Sequence, residues 1–395
     1  MKILFICKYI HSYSLAETRL ATLIKYFKKN NYTVAAITSG SSIKKLKFKK
    51  NYIYKKVENV NYYYIKDVLN YSYYSLKRIY SWIIFEYRIF NFNYNIIGFK
   101  PDVIYISSLS LLTILNGVYL KKKFKAKLIF EMRDLWPYFL YTTGKFSKFN
   151  PFIIILGLIE KFGIYHSNLI IGLLPKINEY IKYRGFVGKK TFSSTFPIIE
   201  RFFKNKKFFK LTKSKKVFDI CYAGNFGHDN YVDILLDLIS NTKDRCFSFH
   251  LIGTGSQKYL LEKKFSYLNN VKFYEHVNYD DLHTILIKMD LLILSFGFNN
   301  KYPIFGYELN KLNNYMMACK PIIVFGSKKN LSKSRGKFIF VTKNNPIIFK
   351  KKLLLIYKNY RHFLNIAKLN KKKLLIRNNA NLIFKETVRH LENIK

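Results

Sequence analysis

Short apolar runs recur along the chain. Between them lie segments whose apolar positions return every three or four residues. Residues 2–7 (KILFIC), 33–38 (TVAAIT), 102–107 (DVIYIS) and 127–131 (KLIFE) are near-continuous apolar runs, the mark of strands covered on both faces. Residues 16–30 (AETRLATLIKYFKKN) place Leu20, Leu23, Ile24 and Phe27 at helical spacing and close on Lys-Lys-Asn. A further helix is expected over 109–122, and 169–174 (LIIGLL) reads as the last strand of this half. Alternating strands and helices predict a parallel sheet.

The pattern breaks over 197–216 (PIIERFFKNKKFFKLTKSKK), a basic stretch without a clear period that reads as an interdomain connection. It then restarts. Strands are expected at 218–223, 247–252, 271–274, 291–295 and 321–325, with helices at 232–240, 257–265, 279–289 and 311–318. From Asn345 onward the chain is Lys- and Leu-rich and reads as helices. The expected division is 1–198, 199–370, and a helical tail at 371–395 that packs back on the first domain. Two Rossmann-like α/β domains with a cleft between them is the favoured architecture.

Composition narrows the function classes. A chain of 395 residues, 49% apolar and 23% charged, has the make-up of a globular protein with a real core. No apolar run is long enough to span a bilayer, and the block after Pro151 is broken by Glu160 and Lys161. The N-terminus reads as a buried strand rather than a signal peptide. Cys7, Cys221, Cys246 and Cys319 lie far apart, which suits free thiols in a reducing compartment. The net charge is +46, but only 11 of the 69 basic residues are Arg and the Lys are spread evenly. Three readings follow, in falling order. One is compositional drift with a solvated basic surface, the second attraction to an anionic membrane, the third nucleic-acid binding. The segment 71–99 is packed with aromatics around Lys77, Arg78 and Arg88. It fits either a membrane interface or a pair of core helices.

Four segments carry candidate chemistry. AGNFG (223–227) and GTG (253–255) each follow a strand, where glycine turns admit a phosphate to backbone N–H groups. In YELNKLNNYMMACKP (307–321), Lys311 begins a helix and Glu308 could accept from sugar hydroxyls; the plainer reading is a helix capped by Asn310. In EMRDLWP (131–137), Arg133, Asp134 and Trp136 fall at a strand's carboxyl end, as a substrate site or a structural ion pair. P-loop, GxSxG and HExxH patterns are absent. His11, His228 and His276 are isolated and read as structural or solvated.

In order and spacing these segments resemble bacterial glycosyltransferases of family 4, which have the GT-B fold. They resemble most the branch that builds O-antigen and capsule sugars, including fucosamine transferase-like enzymes. The resemblance rests on MKILFICKYI with AETRLATLIKYF, KPDVIYISS, LIFEMRDLWP, DICYAGNFG, FHLIGTGSQKYLLE, VKFYEHVNYDDLHTILIKMDLLILS and GYELNKLNNYMMACKPII. It implies transfer of a sugar from a nucleotide-diphosphate donor, with retention at the anomeric carbon. The nucleotide sugar is then a co-substrate, with no metal and no other cofactor. Gly224, Asn225 and Gly227 would flank the donor phosphates, and Gly253 and Gly255 the nucleotide. Glu308, Leu309, Asn310, Lys311, Leu312 and Asn314 would contact diphosphate and sugar, with Lys311, Asp134 and Glu308 at the chemistry. Ser14, Glu17, Arg133 and Trp136 would face a saccharide acceptor, expected to be lipid-linked at the inner face of the cell membrane. The sequence departs from the family at three places. Gly306 and Asn314 stand where many members have a Glu pair. His228 and Asp229 follow Gly227, where Arg and Lys are usual, and Ser14–Leu15 replaces a glycine pair. A basic nucleic-acid-binding protein and an inactive scaffold of the same fold are the alternatives.

Overall fold

The computed structural model describes residues 1–10, 19–42, 48–68, 76–108, 110–142, 144, 146–197, 217–242, 246–295, 304–306, 309–326 and 336–394. Ser14, Glu17, Glu308 and nearly all of the connection at 197–216 lie outside them. The chain divides into two compact units, Met1–Ile199 with Asn378–Lys395, and Glu200–Arg377.

The first unit is built on eight strands: β1 (Lys2–Ile6), β2 (Thr33–Ser39), β3 (Tyr52–Val57), β4 (Val60–Ile65), β5 (Val103–Ser108), β6 (Lys127–Met132), β7 (Leu169–Gly172) and β8 (Thr191–Ser193). Their order is β3-β4-β2-β1-β5-β6-β7-β8. All neighbours pair in parallel except β3, which runs antiparallel to β4. Helices α1 (Arg19–Lys29), α2 (Leu76–Phe90), α3 (Thr113–Phe124), α4 (Tyr138–Thr142), α5 (Pro151–His166) and α6 (Ile177–Tyr183) accompany them. The expected α1 face is the buried one: Leu20, Leu23, Ile24 and Phe27 all lie in the core. Three strands escaped the sequence reading. β3 and β4 turn on Glu58 and Asn59, both at positive φ (47° and 62°), with no glycine to signal a hairpin. β8 has three residues, so 169–174 does not hold the last strand of this half.

The second unit is a six-stranded parallel sheet: β9 (Phe218–Ala223), β10 (Phe247–Ile252), β11 (Val271–Tyr274), β12 (Leu291–Ser295), β13 (Ile322–Phe325) and β14 (Ile339–Val341). Its helices are α7 (Val232–Ser240), α8 (Lys258–Lys264), α9 (Tyr279–Leu286), α10 (Asn310–Met317), α11 (Pro346–Lys358) and α12 (Tyr360–Arg377). The strand order is β11-β10-β9-β12-β13-β14. The winding reverses between β9 and β12, and open α/β sheets bind ligands beyond the carboxyl ends of strands at such a point.

A break at 370 would cut α12, whose buried Ala367 and Leu374 are one continuous packing face. The division falls after Arg377 instead. The last helix, α13 (Ala380–Glu392), starts where Asn379 accepts from the Asn381 and Leu382 N–H groups at 2.9 and 3.2 Å. Its Phe384 ring meets Phe27 edge-on at 5.0 Å, which seals it to the first unit's core.

Candidate functional site

In the second unit, β9 runs straight into Gly224. The Gly224 N–H donates to the Ile252 carbonyl at 2.9 Å, and the Phe226 N–H donates to the Thr254 carbonyl at 2.9 Å. The turns after β9 and β10 are therefore locked together. Glycine is needed at Gly253, and at Gly224 it leaves room for Lys311. Gly253 has φ +142°, and a Cβ there would come within 1.9 Å of the Gly224 carbonyl oxygen. A Cβ on Gly224 would lie 2.2 Å from Lys311 Nζ. Gly255 leaves room for the Phe226 backbone, and Gly227 for the Asn225 side chain.

Helix α10 points its first turn at these loops. Asn310 is exposed and is its first helical residue, so the expected Asn310 cap does not form. Leu309 holds the cap position in an extended conformation (φ −121°, ψ 114°), with no side-chain cap bond. The Leu309 side chain therefore gives the first-turn N–H groups no acceptor. Lys311 folds back over the β9 turn. Its ammonium donates to Tyr222 Oη at 3.3 Å and to Asn230 Oδ1 at 3.4 Å, and it sits 4.6 Å from the Tyr222 ring centroid. Among the described residues no carboxylate pairs with it. Burial pushes its pKa down to about 8. The Tyr222 hydroxyl in turn donates to the Asn225 carbonyl at 2.8 Å, and Tyr315 Oη accepts from the Ala223 N–H at 2.7 Å.

Gly224, Asn225, Gly253, Lys311 and Tyr315 line a cavity of about 340 Å³ together with Thr254, His276, Val277, Leu282 and Asn314. A cation with no counter-charge among the described residues, a helix start whose cap position holds a leucine, and backbone-exposing glycines together suit a phosphate-bearing ligand. Of the expected donor residues, Gly224, Asn225, Gly253, Lys311 and Asn314 line the cavity. Gly227 and Gly255 shape its loops from behind. The Leu312 side chain is in the core, so only its backbone faces the helix terminus. Tyr222, Tyr315 and His276 were missed. Tyr315 lies four residues after Lys311, on the same helical face, which was a usable signal. His276 was set aside as structural or solvated, yet it lines the cavity.

The carboxyl end of the first unit's sheet is organised differently. Arg19 is buried and donates through Nε to Glu131 at 3.0 Å, through Nη2 to Ser194 Oγ at 2.9 Å, and through Nη1 to the Thr195 carbonyl. Glu131 also accepts from Tyr105 Oη at 2.6 Å and Ser107 Oγ at 2.8 Å. Burial would raise the Glu131 pKa, but Arg19 and these donors hold it below the usual carboxylate value. Lys8 forms a second buried pair with Asp67, which Ser39 and Ser81 also bond at 2.6 and 2.8 Å. Just beyond β6, Asp134 is exposed. Arg133 is half-buried with its guanidinium 5.8 Å from the Phe196 ring, and Trp136 meets Trp82 edge-on at 5.6 Å. No ion pair joins Arg133 to Asp134 among the described residues.

No family model matches the sequence, and no curated protein matches it. Solved structures do match, over the whole chain. Sucrose-phosphate synthase from Thermosynechococcus elongatus matches at TM-score 0.69 and 10% identity, covering 100% of this chain and 98% of that one. Anabaena HepE, solved with UDP and glucose, matches at TM-score 0.67 and 13% identity, covering 100% of both chains. The lipopolysaccharide outer core galactosyltransferase WaaB, in its apo form, matches at TM-score 0.59 and 15% identity, covering 100% and 99%. The fold is that of the GT-B glycosyltransferases, an α/β protein of two Rossmann-like units.

Proposed function

We propose that this chain is a retaining, metal-independent glycosyltransferase of the family-4 type, acting on a nucleoside-diphosphate sugar. The observation that carries the reading is Lys311. Among the described residues its ammonium lies over Tyr222 with no carboxylate partner, beside the start of α10, where Leu309 makes no side-chain cap bond, and a turn where glycine leaves it room. The donor diphosphate sits there. In the reaction the anomeric carbon exchanges its bond to the diphosphate oxygen for one to the acceptor hydroxyl oxygen on the same face, and the hydroxyl proton leaves with the diphosphate. Negative charge grows on the diphosphate oxygen, and preorganised N–H groups with the ammonium stabilise it as it departs. That HepE was solved with UDP and glucose supports a nucleotide sugar as the ligand class. The acceptor hydroxyl belongs to a lipid-linked saccharide of surface-polysaccharide synthesis. The first unit supplies its contacts from Arg133, Asp134 and Trp136.

The test is thermal denaturation of the purified chain with nucleoside diphosphates and nucleotide sugars, with and without EDTA. One nucleoside diphosphate should raise the melting temperature, because a ligand that binds only the folded state stabilises it, and EDTA should leave the shift intact. A cooperatively melting protein that responds to none of them would reject the donor site.

A further inference from the structure

Helices α2 and α5 pack on either side of α3 in the first unit, and both carry exposed apolar residues. On α5, the exposed residues Ile154, Ile155, Leu158, Phe162 and Tyr165 form one stripe, with Leu158 62% and Tyr165 68% exposed. On α2, Tyr80, Ile83, Tyr87 and Phe90 form another, with Tyr87 66% exposed. Leu115 of α3 is exposed between them, and the Phe90 and Tyr119 rings meet at 4.7 Å across α2 and α3. Gly163 of α5 lets α3 approach so closely that a Cβ would come within 2.5 Å of Ile114. The stripes are therefore neighbours. Soluble surfaces rarely carry so continuous an apolar area.

The charges around this face have one sign. Lys122 and Lys123 are exposed at the end of α3, and Lys161 lies on α5. Lys121 and Lys189 bond the carbonyls of His166 and Tyr165 at the end of α5, at 2.6 and 2.7 Å. Burial first, then repulsion from Lys127 on Lys121 and from Lys121 on Lys189, pushes both pKa values down. The three helices contain two acidic residues, and both turn inward. Glu86 accepts from Thr113 and Asn116 at 2.6 and 2.8 Å, and Glu160 from Tyr180 at 2.5 Å, with Arg184 paired to it at 2.7 Å.

We propose that the α2–α3–α5 face docks on an anionic lipid bilayer, with its apolar stripes at headgroup depth and the rim lysines on lipid phosphates. Aromatic and aliphatic side chains at that depth, flanked by cations, are the chemistry of an interfacial anchor. A second copy docking through the same helices would bring the same lysines and no exposed carboxylate from those helices to meet them. Among the described residues no helix is long and apolar enough to cross a membrane, so the face lies on the surface.

Co-flotation with vesicles of phosphatidylglycerol and phosphatidylcholine, against phosphatidylcholine alone, tests this in physiological salt without any saccharide. It therefore stands or falls apart from the donor site, which the nucleotide thermal shift reads. The wild-type chain should float with the anionic vesicles only. The double variant Ile83→Glu/Leu158→Glu should lose at least tenfold in binding while keeping its melting temperature. Lys122→Glu/Lys123→Glu should also lose binding, and Ile347→Glu, at an exposed residue of the second unit, should not. Undiminished flotation of a folded Ile83→Glu/Leu158→Glu protein would overturn the proposal. So would a wild-type chain that ignores vesicles but sediments as a dimer which Leu158→Glu dissolves.

Discussion

The two units share a parallel sheet and a reversal of winding, yet their carboxyl edges do opposite things with charge. In the first unit the edge is filled by groups that satisfy one another. Arg19 meets Glu131, Lys8 meets Asp67, and hydroxyls of Tyr105, Ser107, Ser39 and Ser81 close the remaining valences. In the second unit the same edge is lined by glycines, and the cation there, Lys311, is held by neutral oxygens. A matched buried pair has nothing left to offer a ligand. A buried ammonium without a counter-charge costs stability and becomes useful only when an anion arrives. A shared topology places both edges. Side-chain pairing decides which one stays open.

Breaking the closed edge should have the largest effect. Glu131→Gln removes the counter-charge of a buried Arg19, at a cost of about 3–5 kcal/mol. Both tryptophans, Trp82 and Trp136, lie in the first unit, so tryptophan fluorescence during denaturant unfolding reads that unit alone. The nucleotide response of the second unit should survive. A midpoint unchanged by Glu131→Gln would show that the pair is dispensable. At the open edge, removing the cation should spare the fold and spoil the site. Lys311→Ala deletes a charge-assisted contact worth about 1.5–3 kcal/mol, which is roughly 10–100-fold in nucleoside-diphosphate affinity by calorimetry. Gly224→Ala keeps the lysine but sets a methyl where its Nζ now lies, 2.2 Å from the new Cβ. It should weaken binding by roughly tenfold, and equal affinities for Gly224→Ala and wild type would mean the ammonium's position does not matter.

The open edge was also the more legible in the sequence. A glycine is visible as a letter, and AGNFG, GTG and NKL each fall at a strand's end or a helix's start, so their places could be read off the pattern. The closed edge was not. Arg19 meets Glu131 across 112 positions and Thr195 across 176, separations that no local period encodes. Arg133 and Asp134 were read as candidate chemistry because they fall at a strand's carboxyl end. The buried carboxylate is their neighbour Glu131, on the inward side of the strand. The strands with continuous apolar runs were found almost to the residue. β3, β8 and β14, short or half-exposed, were lost, and so was β4, a buried run of tyrosines with no glycine turn before it. The aromatic stretch at 71–99 offered two readings, core or interface, and α2 has a core side and an exposed side. Trp82, Phe85 and Ile89 are buried on one side, Tyr80, Ile83 and Tyr87 exposed on the other.

The finest test sets pH against the cation itself. Burial holds Lys311 near pKa 8 in the folded chain, against 10.5 for an ordinary lysine. Between those values the unfolded chain binds the extra proton, so the ligand-free protein should gain stability as pH rises from about 8 to 10. Ligand binding should move the other way. A diphosphate is held by the protonated form, and one pH unit above the pKa only about a tenth of the lysine remains charged. Affinity should therefore fall by up to roughly tenfold between pH 7.5 and 9, less if the bound anion draws the pKa back up. In Lys311→Ala both slopes should flatten. Opposite signs for stability and affinity, both carried by one residue, are what an unpaired cation predicts and a paired one does not. The same downward affinity slope in Lys311→Ala would place the titrating group elsewhere.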